Sequence, residues 1–329
     1  MSHLLQKQLL HAAQHGSVED LKLLHLQNKD ILHWSQCRCK TTGDTPLHLA
    51  SQENNLQIVK YLCEIWLPSC LHIVNKDGKT ALHDAAQFHN LEVLEYLINK
   101  GADVNKLKRP DWTPLMLACA KLSSNLQKAY KCIQILIDKK AERLISNKDG
   151  WTCLHLAARL GDVNIFKIIW QNNIEDIMIK SKNGRTALHI TALHGHLDLL
   201  KYFLTNGITE KELEVADNCG NTIFHDAVLS GNLDLVLLVQ KHGADIQKKT
   251  KSGLTALHLA AQSGMAQVLI YLLQNCNFDV NIQSIYGKFT PLHCAYRAKQ
   301  LDIVDLLLKF KADQHRLDEY GRLPKSYLT

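Results

Sequence analysis

Seven histidines recur along the chain, and histidine is the side chain most often used as a metal ligand or as a general base near neutral pH. They are His48, His83, His155, His189, His225, His258 and His293. Each lies three positions after the threonine of a motif that recurs every 33–39 residues. This separation places the histidines about one repeat apart. We therefore expect their rings to hydrogen-bond backbone atoms of a scaffold rather than to form a catalytic or metal site.

Other catalytic motifs are absent from the sequence. It contains no Gly-x-Ser-x-Gly nucleophile motif, no phosphate-binding loop and no Gly-x-Gly-x-x-Gly. The one local group of metal-binding residue types, His33 with Cys37 and Cys39, lacks a second cysteine pair at zinc spacing. The sequence therefore predicts a protein that is not an enzyme, with no catalytic residue, no metal and no cofactor.

The threonine motif occurs eight times. Its copies begin at Thr45, Thr80, Thr113, Thr152, Thr186, Thr222, Thr255 and Thr290, with separations of 35, 33, 39, 34, 36, 33 and 35 residues. The ankyrin repeat has a period of about 33 residues and a Thr-Pro-Leu-His signature, as in Thr45-Pro46-Leu47-His48. Over residues 5–329 the chain therefore resembles the ankyrin-repeat family.

Each unit also makes local physical sense. The threonine is expected to cap a helix, the helix to stop near a residue such as Gly161, and Asp77-Gly78 to form a tight turn. We predict an all-α ankyrin-repeat solenoid of helix-turn-helix units with β-hairpin fingers. It would form a monomeric single domain over residues 1–329, with an N-terminal cap at 5–40 and a C-terminal cap at 314–329. About eight repeats are expected to start near 43, 78, 111, 150, 184, 220, 253 and 288.

Basic side chains concentrate in the predicted fingers, which in ankyrin solenoids line the concave side. The windows 75–80, 105–112, 146–151 and 179–186 hold nine basic residues and three acidic ones. The predicted concave-face binding residues are Lys106, Lys108, Arg109, Trp112, Lys148, Trp151, Lys180, Lys182 and Arg185. The charge could simply be solvated, or it could bind an acidic protein patch. Aromatic residues do not alternate with the basic ones, which disfavours direct nucleic-acid binding. The two tryptophans could pack beneath the fingers or anchor a partner.

Several segments resemble a narrower group of ankyrin-repeat proteins that bind the catalytic domain of alanyl-tRNA synthetase. They are Lys108–Met116, Asn147–Trp151, Arg185–Leu197 and Asp217–Gly220. The resemblance implies a partner that limits mischarging of tRNA(Ala) with serine, with lysines that accept the misactivated serine. Lys148 matches one acceptor position and Lys180 is the nearest match to another. At Lys108-Arg109 the group has two lysines, and the second, the acceptor, is arginine here, which leaves Lys108. A generic scaffold for another partner and an RNA-associated protein remain alternatives.

Composition is consistent with a folded protein outside the secretory pathway. Apolar residues make up 46% and charged residues 21% of the chain, and the net charge of +6 is mild for this length. The first residues lack the apolar stretch of a signal peptide, and no run is long enough to cross a membrane. We expect a cytoplasmic and nuclear location, no membrane association, and ten cysteines that are mostly buried free thiols.

Overall fold

A computed structural model describes residues 3–29, 36–66, 69–120 and 125–328. The chain falls into two compact units. Unit 1 comprises residues 1–160 and 164–171, and unit 2 comprises residues 161–163 and 172–329, each within the described ranges. The predicted boundaries of the caps and repeats remain a prediction, and the long loop predicted at 121–125 lies outside the described residues except for Asn125.

Unit 1 is built from helix pairs. Its helices are α1 (His3–His15), α2 (Val18–Gln27), α3 (Pro46–Gln52), α4 (Leu56–Trp66), α5 (Ala81–Gln87), α6 (Leu91–Asn99), α7 (Pro114–Ala120), α8 (Leu126–Asp138), α9 (Cys153–Leu160) and α10 (Val163–Ile169), with a 3₁₀ helix at Ser69–His72. The first helices of the pairs, α1, α3, α5, α7 and α9, pack in succession, and α2, α4, α6 and α8 form a second layer.

Unit 2 repeats this arrangement. Its helices are α11 (Ile174–Ile177), α12 (Ala187–Leu193), α13 (Leu197–Thr205), α14 (Glu210–Leu213), α15 (Ile223–Ser230), α16 (Leu233–Lys241), α17 (Ala256–Ser263), α18 (Ala266–Asn275), α19 (Pro291–Arg297) and α20 (Leu301–Lys309). A 3₁₀ helix at Pro324–Leu328 packs on α19. Within each unit the repeats stack as an all-α solenoid, which confirms the predicted helix-turn-helix architecture.

The motif residues form the core and the start of each first helix. In α3 the residues Pro46–Ser51 are all buried, because the motif packs against the neighbouring repeat on both sides. Thr45 and His48 form a capping box, in which the side chain of each residue faces the backbone N–H of the other. The same box begins α5, α12, α15, α17 and α19. The predicted threonine cap is confirmed for α19, where Oγ1 of Thr290 accepts the N–H of His293 at 3.4 Å.

The fingers differ from the predicted β-hairpins, because no β-strand occurs among the described residues. A finger is instead a five-residue turn: the backbone N–H of Asn75 donates to the carbonyl of Lys79 (2.9 Å), and Oδ1 of Asn75 accepts the N–H groups of Asp77 and Lys79 (both 3.0 Å). Asn147, Asp217 and Asp318 organise their turns in the same way. The Asn or Asp side chain accepts the backbone N–H groups that the strands of a longer hairpin would pair with each other. The two arms of the finger are therefore joined by a single backbone hydrogen bond and do not form strands.

Neighbouring finger tips are joined by backbone hydrogen bonds. In unit 1 the N–H groups of Lys76, Arg109 and Lys148 donate to the carbonyls of Thr42, Asp77 and Pro110 at 3.0, 3.0 and 3.3 Å. In unit 2 the N–H groups of Asn218, Lys251, Tyr286 and Glu319 donate to Asn183, Cys219, Ser252 and Gly287 at 2.9–3.3 Å. These bonds fix the spacing of side chains on adjacent tips.

The tip-to-tip bonds predict that Gly220→Ala is destabilising. Gly220 has a φ of +85°, and a Cβ there would lie 2.6 Å from the backbone nitrogen of Lys251, which donates to Cys219. We expect the free energy of unfolding to fall by about 2–4 kcal/mol, from left-handed strain and the displaced hydrogen bond together. Urea denaturation followed by circular dichroism measures it.

The matched control is Gly321→Ala. Gly321 has a φ of +71°, but a Cβ there would meet no atom within 4 Å. This variant should lose only the strain of the left-handed backbone, about 1–2 kcal/mol. Equal losses in the two variants would contradict a structural role for the close approach of the tips.

Candidate functional site

The motif histidines tie each repeat to the next. In His48 the ring Nδ1 accepts the backbone N–H of Thr45 (3.3 Å), and Nε2 donates to the carbonyl of Lys79 in the following finger (2.8 Å). His83, His189, His225, His258 and His293 make the equivalent Nε2 bonds at 2.9–3.2 Å. Their rings are buried and both nitrogens are engaged, as the structural interpretation predicts.

The third repeat shows how a unit without this histidine is capped. Met116 occupies the position, and its backbone N–H donates to Oγ1 of Thr113 at 3.2 Å. Met116 is as deeply buried as the histidines. The helix start therefore keeps its threonine cap, while Met116 has no ring that could bond to the following finger.

One group of potential metal ligands lies together among the described residues. The ligand atoms of Asp44, His48 and Asp84 are all within 4.8 Å of one another. The single lone pair of the His48 ring is already occupied by the N–H of Thr45, and the ammonium of Lys79 lies 3.4 Å from Asp84 Oδ1. We interpret the group as a buried ion pair with hydrogen bonds. The other candidate group, around Cys37 and Cys39, includes His33, which lies outside the described residues.

Two buried carboxylates are a feature that the sequence analysis missed. Burial raises the pKa of Asp84 to about 7 against the opposing effect of Lys79, and burial likewise raises the pKa of Asp226 to about 7 against Arg185. In each carboxylate Oδ2 is buried without a hydrogen-bond partner. The sequence did contain a signal for them. Each follows directly after a motif histidine, at a position where the other repeats have an apolar residue.

In unit 1 the predicted binding residues occupy consecutive fingers. Lys106, Arg109 and Lys148 are exposed, and the backbone bond from Lys148 to Pro110 holds the two fingers side by side. Asp111 follows with a φ of +66°, in the tip position that glycine holds in other fingers. The tips of unit 1 thus present cations at spacings set by the backbone.

Lys108 differs from the other lysines of these fingers. Its ammonium lies 5.6 Å from the centroid of the Trp112 ring and donates to the carbonyl of Arg109 at 2.7 Å. Burial, assisted by the charge of Lys79, lowers the pKa of Lys108. A larger fraction of this amine is therefore neutral, and hence nucleophilic, than for an ordinary lysine.

The two tryptophans are half-buried and each faces a cation. Trp112 lies under Lys108, and Trp151 lies beside His155 with the guanidinium of Arg159 at 5.7 Å from its centroid. The backbone of Trp151 also closes its finger turn with Asn147. This geometry favours the packing role over that of freely exposed anchors.

The predicted residues of unit 2 divide into two kinds. Lys180 and Lys182 are exposed, with the ammonium of Lys180 donating to the carbonyl of Ala216 at 3.1 Å. The guanidinium of Arg185 is instead bound by Asp217 (3.2 Å) and Asp226 (3.0 Å). Its charge is compensated inside the fold, so it contributes less to a positive surface than the sequence analysis assumed.

A comparison with protein families matches nearly the whole chain. Residues 9–108, 106–180, 170–250 and 237–318 each match the family described as ankyrin repeats in three copies. The chain belongs to the ankyrin-repeat family. Members are typically non-catalytic interaction modules, and ankyrin repeats indicate a protein-interaction scaffold.

Individual relatives match shorter stretches of this ankyrin-repeat protein. It is 41% identical over 60 residues to the Notch-regulated ankyrin repeat-containing protein of Xenopus tropicalis, 18% of this chain and 53% of that protein. It is 33% identical over 123 residues to the nuclear factor NF-kappa-B p105 subunit of Rattus norvegicus, 36% of this chain and 12% of that protein. Inversin of Canis lupus familiaris is 40% identical over 97 residues, 29% of this chain and 9% of inversin. The chain thus spans about half the length of the first relative and far less of the others.

Among the described residues, no helix is both long and apolar enough to span a bilayer.

The buried histidines predict a loss of stability at acid pH. Burial lowers the pKa of His83, His189, His225 and His258 to about 4. An unfolded histidine titrates near 6.5, so their contribution is complete above that pH and is lost as the pH falls towards 4. His225→Met, which copies the third repeat, should reduce the slope of unfolding free energy against pH by up to about 1.4 kcal/mol per pH unit.

Urea denaturation at several pH values between 4 and 7.5 measures this slope. His315→Gln is the control, because His315 is an exposed histidine of the same unit outside the repeat motif. If His225→Met keeps the parent's slope of unfolding free energy against pH, His225 does not cause the loss of stability at acid pH.

Proposed function

We propose that this protein binds the catalytic domain of alanyl-tRNA synthetase through its basic fingers and limits mischarging of tRNA(Ala) with serine. The proposal rests on the resemblance of Lys108–Met116, Asn147–Trp151, Arg185–Leu197 and Asp217–Gly220 to ankyrin repeat domain-containing protein 16. The proposed location, cytoplasmic and nuclear, suits a partner of that kind.

The observation that carries the proposal is the arrangement of Lys108 and Lys148. They lie on fingers of one unit whose tips are hydrogen-bonded to each other, Lys148 is exposed, and the pKa of Lys108 is lowered by burial. A surface of this kind offers cations for an acidic partner together with an amine of increased nucleophilicity. Lys180, exposed in unit 2, is the third proposed acceptor.

The acceptor reaction has simple chemistry. A neutral lysine Nζ attacks the carbonyl carbon of seryl-adenylate, a C–N bond forms, the C–O bond to AMP breaks, and the amine proton passes to water. An ordinary lysine is neutral only about once in a thousand at pH 7.4, so proximity to the synthetase site must supply a high effective concentration. Arg109 carries no nucleophilic amine and is proposed to contact the partner by charge alone.

Binding is tested with the isolated catalytic domain of the synthetase and the full ankyrin-repeat chain. Biolayer interferometry should detect a complex, and Lys106→Glu with Lys148→Glu should weaken it by about tenfold or more, through charge reversal on the exposed fingers. Lys167→Glu, on the exposed side of α10, is the control and should bind as the parent does. No complex at about 10 μM would refute the proposed partner and leave the generic scaffold.

The acceptor role is tested separately. The complex is incubated with serine and ATP, and peptides are searched by mass spectrometry for seryl-lysine. We expect adducts at Lys108 and Lys148 and none at Lys167. Lys108→Arg should bind normally but lose its adduct, because arginine keeps the charge and removes the nucleophile. Binding without adducts would leave the partner in place and exclude the acceptor chemistry.

A further inference from the structure

The last fingers of unit 2 carry a group of exposed apolar side chains. None of them is among the predicted binding residues. Ile285, Tyr286 and Tyr320 are 59%, 68% and 69% exposed. Leu317 and Leu323, three residues before and after Tyr320, are 50% and 41% exposed. We call these five residues the tip patch. Single exposed apolar residues are ordinary, but a contiguous cluster on a binding side of a repeat is typical of an interaction surface.

Backbone hydrogen bonds join the fingers that carry the tip patch. The N–H of Tyr286 donates to Ser252 on one side, and the N–H of Glu319 donates to Gly287 on the other (3.3 and 3.0 Å). A carboxylate oxygen of Glu319 also accepts the N–H of Gly287 at 2.8 Å. The apolar side chains of the two fingers are therefore presented side by side.

The turn that carries Tyr320 is held by several hydrogen bonds to one carboxylate. Asp318 is buried and accepts the N–H groups of Tyr320 and Arg322, the Nε of Arg322 and the hydroxyl of Tyr327 at 2.5–3.1 Å. The guanidinium of Arg322 lies 4.6 Å from the ring centroids of both Tyr320 and Tyr327. Tyr320 is thus held in place before a partner arrives, which reduces the entropy lost on binding.

The charge around the tip patch is predominantly positive. The fingers at 249–253, 284–289 and 316–325 carry six basic residues, Lys249, Lys251, Lys288, Arg316, Arg322 and Lys325. Their two acidic residues are Asp318, which forms an ion pair with Arg322, and Glu319, whose carboxylate accepts the N–H of Gly287. The other five basic residues therefore outnumber the one remaining acidic residue. A partner that covers the patch must therefore supply negative charge around an apolar centre.

We propose that the tip patch is a docking surface for an acidic protein segment whose Leu, Ile or Phe side chains pack on Ile285, Tyr286 and Tyr320. Three of the five residues are aliphatic and cannot stack on bases, and one face of Tyr320 is occupied by Arg322. A protein segment fits this composition better than single-stranded nucleic acid, which requires open aromatic faces. The tip patch shares no residue with the proposed synthetase contact.

The test is a selection of random twelve-residue peptides displayed on phage, with the full chain as bait and the Tyr286→Ser/Tyr320→Ser double variant for counter-selection. Both tyrosines are mostly exposed, so the variant should keep the circular dichroism spectrum and melting temperature of the parent. Selected peptides should combine an excess of Asp and Glu with Leu, Ile or Phe. Peptides that bind parent and variant equally, or that lack acidic residues, would overturn the proposal.

Synthesised peptides from the selection are then measured by fluorescence anisotropy. The double variant should weaken binding at least tenfold, and Lys251→Glu/Arg316→Glu should do so with the apolar residues intact. Leu237→Ser is the control, since Leu237 is an exposed apolar residue of unit 2 on α16, and it should bind as the parent does. Binding should also weaken as NaCl is raised. If a (dT)20 oligonucleotide binds the tip patch more tightly than any peptide, the surface is a nucleic-acid site and the proposal is wrong.

Discussion

The hydrogen bond from a buried histidine to the next finger is the interaction on which the rest of this structure depends. A single repeat cannot bury its apolar face, so each must be placed correctly against its neighbour. The ring does so with both nitrogens: His258 caps its own helix through the N–H of Thr255 and reaches the carbonyl of Phe289 in the following repeat. A buried donor and a buried acceptor are satisfied together, so a misplaced neighbour leaves two polar groups unpaired.

The geometry of the scaffold is the same in each repeat, whereas the chemistry of its surface differs between repeats. The finger tips are spaced by backbone bonds that do not depend on side-chain identity, so side chains at the tips can differ between repeats without disturbing the stack. In unit 1 the tips carry Lys148 and the half-buried Lys108, whereas in unit 2 two tips carry Tyr286 and Tyr320. The same backbone framework therefore presents a cationic surface in one unit and an apolar surface with a cationic rim in the other.

Charges that look alike in the sequence have different roles in the fold. Arg185 and Lys79 precede motif threonines and were counted with the basic finger residues, yet their cations lie against the buried carboxylates Asp226 and Asp84. Lys148 lies three positions earlier in its own finger turn and is exposed. Motif periodicity predicts which residues start a helix, but it does not say which finger cation will find a buried anion in a neighbouring repeat.

The sequence by itself determined the repeat, the capping threonines and the structural role of the histidines, because these depend on local geometry that every unit shares. It also located the fingers, though it predicted hairpins where a single Asn or Asp side chain closes a short turn. Only the tertiary structure decided that burial and the charge of Lys79 lower the pKa of Lys108, that Asp217 and Asp226 compensate the charge of Arg185, and that Tyr286 and Tyr320 lie on fingers joined by a hydrogen bond. These properties depend on residues about one repeat apart, which the stacking of neighbouring fingers brings close together.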